Sequence, residues 1–239
     1  MSRYLIWCVY GLRLGTLECI NIIRHDYYNR EISEIVKGKA NILIVGGGYG
    51  DSLEDYCSSD SKITFTDIEL EAVECVRKKF VDYNVDFQCC SAYNLPFKDN
   101  AFDLVVSTLN GSYLNSKALK EFNRVMDQEA ILILSETTIE YVNYLRKIGR
   151  YNGKSILGSD MKTKISHPYV YEKEELESIC HNSGFSPIHY KILRPDNLIS
   201  QDKISSVIIN FSKYLGSEIA DVPLLYYSIS RKEYKYGDK

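Results

Sequence analysis

The sequence predicts an α/β protein, a doubly wound parallel sheet with helices on both faces, and three observations carry that prediction. First, Asn41-Ile-Leu-Ile-Val45 is a continuous apolar run that stops in Gly46-Gly47-Gly48-Tyr49-Gly50, as a strand buried on both faces does before a tight turn. Second, Lys62 to Thr66 repeats the strand pattern and ends at Asp67, with a helical segment after it. Third, the same alternation of short apolar runs and helical spacing continues towards the C-terminus. A chain of 239 residues with 45% hydrophobic content can bury one good core, and no internal repeat, low-complexity tract or linker divides it.

The elements follow in order. Tyr4 to Leu12 is a short apolar run interrupted by Arg13, with no small-residue cleavage site, so it reads as a buried helix rather than a signal peptide. Tyr28, Ile32, Ile35 and Val36 have helical spacing. Strands are expected over 41–45, 62–66, 85–89, 102–107 and 130–135. Helices are expected over 70–80, 116–126 (with Ala118, Leu119, Phe122, Val125 and Met126 on one face) and 137–149. Residues 150–170 are polar, contain glycine and show no clear period. A helix from Glu172 to Ser183 is stopped by Gly184, followed by a strand near 187–193, a helix over 202–215 and a last strand over 224–230.

A net charge of -3, with Lys and Arg scattered, gives no basic stripe and disfavours nucleic acid as an obligatory partner. The seven cysteines are odd in number and form no C-x-x-C, which argues for reduced thiols in a cytoplasmic protein and against a metal site. No run approaches the roughly 18 apolar residues of a membrane span. Oligomeric state is not legible.

The glycine turn has a physical purpose. Glycines allow the sharp bend and leave no side chain between backbone and ligand, while the helix that follows presents free N–H groups. Asp67 ends the second strand 21 residues after Gly46, where a carboxylate can accept from both hydroxyls of a ribose; the alternative is that it merely caps the helix beginning near Glu69. A dinucleotide fingerprint wants glycine at position 51, and a phosphate-binding loop wants Lys before Ser or Thr. Asp51-Ser52 supplies neither. An acidic residue there suits a ligand with a cationic centre, such as the sulfonium and amino groups of S-adenosylmethionine.

On these residues the chain resembles the class I S-adenosylmethionine-dependent methyltransferases, in their broad small-molecule-type branch. Ile42-Leu-Ile-Val-Gly-Gly-Gly-Tyr-Gly50 resembles the glycine motif and Phe65-Thr-Asp-Ile-Glu69 the acidic strand end. Ser91-Ala-Tyr-Asn-Leu-Pro-Phe-Lys-Asp-Asn-Ala-Phe-Asp-Leu-Val-Val106 resembles the stretch from adenine loop to fourth strand. The resemblance implies a Rossmann-like sheet of seven strands, mostly parallel with an antiparallel C-terminal strand. It divides a single domain into an N-terminal helical cap (1–39), a cofactor-binding core (40–136), a substrate lid (137–170) and a C-terminal part of the sheet (171–239).

It also implies roles. The backbone of Gly46, Gly47, Gly48 and Gly50 holds the methionine part, Asp67 the ribose and Ile68 an adenine face. Ser91, Ala92 and Tyr93 flank the adenine, and Ser107, Thr108 and Asn110 line the methyl-donor side. Two departures stand out. Ile44 occupies a position that is often acidic, and Ser91 one that is often Asp; a neutral hydroxyl makes the weaker contact. They motivate a catalytically silent cofactor-binding subunit as an alternative. Aminopropyl or aminocarboxypropyl transfer is another, although Thr108-Leu-Asn-Gly-Ser112 carries no carboxylate to hold an amine.

Methyl transfer asks chiefly for positioning and exclusion of water, so the catalytic residue is hard to read. His167, in His167-Pro-Tyr-Val-Tyr171, is the first base candidate and Tyr169 its companion; the bland reading of His167 is a loop histidine in an ordinary hydrogen bond. His25, with Tyr27 and Tyr28, is the second candidate, and this group reads either as a lid over the cofactor or as simple helix packing. Tyrosines crowd 1–39 and 137–170, which suits a flat or apolar small-molecule acceptor. Arg146, Lys147, Arg150, Lys154, Lys162 and Lys164 would form a basic rim for RNA or protein, or simply a solvated face.

Overall fold

The computed structural model describes residues 15–57, 61–109, 113–157, 164–195, 215 and 217–233. Asn110, the run 4–12 and nearly all of the helix expected over 202–215 lie outside the described residues.

Five parallel strands, β1 (Asn41–Val45), β2 (Lys62–Asp67), β3 (Val85–Cys89), β4 (Phe102–Thr108) and β5 (Met126–Thr137), continue into β8 (Phe185–Leu193) and β9 (Leu225–Lys232). The order across the sheet is β3-β2-β1-β4-β5-β9-β8. β9 runs antiparallel to both β5 and β8, which gives the expected seven-stranded sheet with one reversed C-terminal strand. The order turns back at β1, so the crevice beyond the carboxyl ends of β1 and β4 is where such a sheet binds ligands.

Alternation along β1 sorts the core. Ile42 and Ile44 pack with Ile20, Ile23 and Tyr27 of α1 (Gly15–Tyr27) and with Val73 and Val76 of α3 (Leu70–Lys79). Leu43 and Val45 pack on the other face with Ala118, Leu119, Phe122 and Val125 of α4 (Ser116–Val125) and with Leu176 of α6 (Lys173–Asn182). Each such side chain contributes about 1.5–3 kcal/mol on full burial. Ends are set by caps: Asn115 accepts from the N–H groups of Lys117 and Ala118, and Glu172 and Glu175 form a capping box at α6.

Several details differ from expectation. α1, described from Gly15, passes through a π-helical turn, Tyr28–Ile32, into Ser33–Val36. The helix after the glycine turn, α2 (Leu53–Tyr56), is a single turn. β5 starts at Met126 rather than Ala130, because Met126 pairs with Phe102 before a register shift, and the polar Asp127-Gln128-Glu129 hides the strand from an apolar pattern. Part of the aperiodic 150–170 stretch forms a ribbon of β6 (Ser155–Leu157) and β7 (Lys164–Ser166), strands too short to show alternation. It follows α5 (Ile139–Lys147), the helix expected over 137–149.

Candidate active site

The glycine turn closes on the end of β2. Gly48 N–H donates to Asp67 Oδ2 at 2.8 Å and Gly47 N–H to the Thr66 carbonyl at 3.0 Å. Glu69 N–H donates to Asp67 Oδ1 at 2.9 Å, so Asp67 braces the turn into α3, but the helix N-cap is Glu69 and carries no side-chain cap, unlike the capping reading. Each carboxylate oxygen still has a second acceptor site, so these bonds and ribose binding are compatible.

The three consecutive glycines differ in what surrounds them. A Cβ on Gly46 would stand 2.1 Å from the Tyr113 hydroxyl, and one on Gly47 would stand 2.1 Å from the Phe65 ring. A Cβ on Gly48 would meet nothing within 4 Å, and its φ of +53° is one that glycine adopts at little cost. Gly46 and Gly47 are therefore required by packing, whereas Gly48 borders open space. Beside that space Ile68 is 66% exposed and Leu70 is exposed too, an apolar ledge next to the carboxylate. The loop after β3 is drawn to the same place. Cys90 N–H donates to the Asp67 carbonyl at 2.9 Å, and Ser91 Oγ accepts from Tyr93 N–H at 3.2 Å. These residues fit S-adenosylmethionine: an open backbone cradle, a carboxylate at ribose height and an apolar ledge for a base.

Tyr113, which sequence reasoning missed, links the strand ends. Its hydroxyl donates to the Val45 carbonyl at 2.8 Å and lies 3.1 Å from Ser107 Oγ. Burial, first, and the neighbouring Glu136 and Asp67 push its phenol well above the usual range. Glu136, also missed, is a buried carboxylate near the end of β5. Tyr93 OH donates to the Tyr113 carbonyl at 3.0 Å, and Asn115 Nδ2 donates to the hydroxyl oxygens of Tyr93 and Tyr169, each at 3.2 Å. Tyr169 stacks on Tyr171, ring centroids 6.5 Å apart, and Tyr171 OH donates to the Leu114 carbonyl at 2.8 Å. Asn115 thus holds the hydroxyls of two phenols, Tyr93 and Tyr169, with Tyr171 stacked on Tyr169. The cap position of Asn115 before Ser116 was the one sequence signal available for it.

The two base candidates sit differently. His167 is 4% exposed, and its Nε2 lies 2.6 Å from Thr137 Oγ1 at the end of β5. Burial lowers its pKa to about 4, so it is a neutral hydrogen-bonding group at physiological pH. Its backbone ties the ribbon down: His167 N–H donates to the Lys154 carbonyl, and Tyr151 OH donates to the His167 carbonyl. This is the bland reading of His167. His25 instead pairs with Asp55, and that hydrogen bond raises its pKa. Tyr28 is buried edge-on against Tyr56, ring centroids 4.9 Å apart, in the core rather than over the crevice. Thr108 ends β4, paired with Ser135, and Ala92 packs half-buried beside Tyr93.

The sequence pattern of the methyltransferase domain family matches residues 43–134, the stretch that builds this turn and these strand ends. A ubiquinone/menaquinone biosynthesis C-methyltransferase, UbiE, from Rickettsia bellii is 30% identical over 196 residues, 70% of this chain and 76% of that protein. The chain belongs to the class I S-adenosylmethionine-dependent methyltransferases. The corresponding UbiE of Xylella fastidiosa (strain M23) is 27% identical over 178 residues, 66% of this chain and 70% of that protein. Among solved structures, an S-adenosylmethionine-dependent methyltransferase from Methanosarcina mazei shares the fold with a TM-score of 0.65 at 20% identity, over 86% of this chain and 98% of that one. A Haemonchus contortus phosphoethanolamine N-methyltransferase in complex with S-adenosylhomocysteine shares it with a TM-score of 0.60 at 14% identity, over 87% of this chain and 53% of that one. The methyltransferase uses S-adenosylmethionine as its cofactor. Among the described residues no helix is long and apolar enough to cross a membrane, and no group of His, Cys, Asp and Glu could hold a metal.

Proposed function

We propose that this methyltransferase acts on a small hydroxylated aromatic ring and methylates it at carbon. The observation that carries the reading is the stacked pair Tyr169 and Tyr171, held to Asn115 and the Leu114 carbonyl beside Tyr93 and Tyr113, next to the glycine turn. Phenol faces hold a flat ring, and phenol hydroxyls hydrogen-bond its oxygens. Similarity to C-methyltransferases of ubiquinone and menaquinone biosynthesis supports the same class of acceptor. The chain would work in the cytoplasm with its thiols reduced.

In this reading residues 40–136 hold the cofactor, within one domain that also includes the cap (1–39), the lid (137–170) and the rest of the sheet (171–239). The turn Gly46–Gly50 cradles the methionine part, Asp67 accepts from the ribose hydroxyls, Ile68 covers an adenine face, and Ser91 to Tyr93 border its edge. Ser107 and Thr108 line the methyl-donor side. When bound, the cofactor supplies a methyl group on a positively charged sulfur, which departs with the electron pair of the broken bond. Tyr169 orients the acceptor hydroxyl so that the neighbouring ring carbon lies in line with that methyl, and the methylated carbon then gives up its proton to water. His167 acts from behind, holding the lid through Thr137.

Incubation with trideuteromethyl S-adenosylmethionine and a 1,4-dihydroxynaphthalene tests this. The expected product carries CD3 on a ring carbon, and Tyr169→Phe slows its formation. Formation of S-adenosylhomocysteine with amine or carboxylate acceptors but none with dihydroxyarenes would overturn the acceptor class.

A further inference from the structure

α1 meets the residues behind the glycine turn through a cluster of charges. The Arg24 guanidinium, 3% exposed, donates from Nη1 to Asp55 Oδ2 and from Nη2 to the Asp51 carbonyl at 2.9 Å. Asp55 is wholly buried and turns its second oxygen to His25 Nδ1. His25 Nε2 lies 3.0 Å from Asn29 Nδ2. With Nδ1–H donating to Asp55 and Nε2 accepting from Asn29, neutral His25 is satisfied at both nitrogens.

The segment these groups hold cannot hold itself. α2 is four residues long, and its N-cap Ser52 makes no side-chain cap. One helical turn is not stable alone, so the path from Gly50 to Tyr56 is fixed by what it packs on. Leu53 and Tyr56 anchor it in the core, and Arg24 reaches both Asp51 and Asp55, one on each side of Leu53.

We propose that Arg24, Asp55 and His25 are positioning residues for the cofactor: they clamp α1 onto residues 51–55, hold the Gly46–Gly50 turn in its binding shape, and so strengthen cofactor binding without touching the cofactor. The proposal rests on the turn being the cofactor site. It has a pH signature. The Asp55 hydrogen bond, first among the causes, raises the His25 pKa above its ordinary value. A raised histidine gives its full stabilisation below about pH 6.5 and loses it as pH rises through the higher folded value. The other groups facing the cluster are Glu54, Asp51, and the phenols of Tyr28, Tyr56 and Tyr227, which burial keeps protonated through this range. The clamp therefore loosens from neutral towards mildly alkaline pH.

Calorimetric titration of the full chain with S-adenosylhomocysteine tests the proposal, with Asp67→Ala as the control for the cofactor site. Arg24→Met and Asp55→Asn each remove the buried Arg24–Asp55 ion pair, and are expected to weaken binding about tenfold or more. His25→Gln keeps a neutral donor and should fold. In it the decline of affinity between pH 6 and 8.5 seen in the wild type should flatten, the ligand's own titration cancelling between the two. If the wild type binds and Asp67→Ala does not, yet His25→Gln keeps the wild-type pH profile and folded Arg24→Met the wild-type affinity, the clamp is overturned and the cluster is structural only. If the wild type itself fails to bind, the cofactor-site reading fails and the clamp with it.

Discussion

From Gly46 to Asp67 the site is made of backbone and one carboxylate, contributed by β1, its turn and the end of β2. Across the crevice, Tyr93, Tyr113, Asn115, Tyr169 and Tyr171 reach in from three separate loops and meet through side-chain hydrogen bonds. The first region has no room to vary, since Gly46 and Gly47 press directly on Tyr113 and Phe65. Tyr113 ties the second to the first, whereas Tyr169 and Tyr171 stand on a loop that can exchange one polar aromatic for another without moving a strand. A fold arranged so can keep its cofactor while its acceptor changes, because binding and specificity are carried by different kinds of structure.

The sharpest way to break that division is at Gly48. Gly48→Val puts a branched side chain into the open space and into a positive φ that costs about 1–2 kcal/mol, and it should abolish cofactor binding. Gly47→Val, aimed into the Phe65 ring, should chiefly lower stability. Melting temperatures with and without S-adenosylhomocysteine separate the two. A folded Gly48→Val that keeps its ligand-induced shift would show that the open space is not the cofactor's.

The next effect concerns the lid anchor. His167 is neutral when folded, with a pKa of about 4, and takes up a proton when unfolded at its ordinary value near 6.5. Its contribution is thus complete above pH 6.5 and is lost as pH falls towards 4, by up to about 3 kcal/mol. Urea unfolding at several pH values should show this acid loss in the wild type and its reduction in His167→Gln. Equal acid sensitivity of both proteins would mean that other groups govern it. Turnover should show no pH dependence near neutrality that His167→Gln removes, in contrast to a working base.

The smallest effect separates the two regions from the acceptor side. Tyr169→Phe should lower kcat/KM for the acceptor by up to about tenfold, the worth of one hydrogen bond, and leave S-adenosylhomocysteine affinity unchanged. Asn115→Ala should do the same and also cost about 1 kcal/mol of stability through the lost N-cap. A fall in cofactor affinity matching the fall in turnover would mean that the two regions are one.

The same contrast explains what was legible in the sequence. The buried run 41–45, the glycines after it and Asp67 lie within one βαβ unit, where spacing along the chain is spacing in the fold, and all fell where expected. Tyr113 and Asn115 acquire their meaning only when Tyr93 and Tyr169 arrive from 20 and 54 residues away. Arg24 and Asp55 are 31 residues apart and leave no periodic trace. His167 looked like a base because histidine in an aperiodic loop carries no sign of burial, and its contact with Thr137 depends on the ribbon of β6 and β7, whose strands are too short to read. Tyr28 was assigned by proximity to the cap, whereas the π-helical turn that contains it directs the ring at Tyr56.

The most direct test of the account is calorimetry of S-adenosylmethionine and S-adenosylhomocysteine on the wild type and on Asp67→Ala, with NAD and ATP as comparisons. Loss of the carboxylate should weaken cofactor binding by about 1.5–3 kcal/mol, roughly ten- to 150-fold, in a protein that remains folded, while NAD and ATP bind neither form. Unchanged affinity in folded Asp67→Ala, or tight binding of NAD or ATP to the wild type, would contradict it.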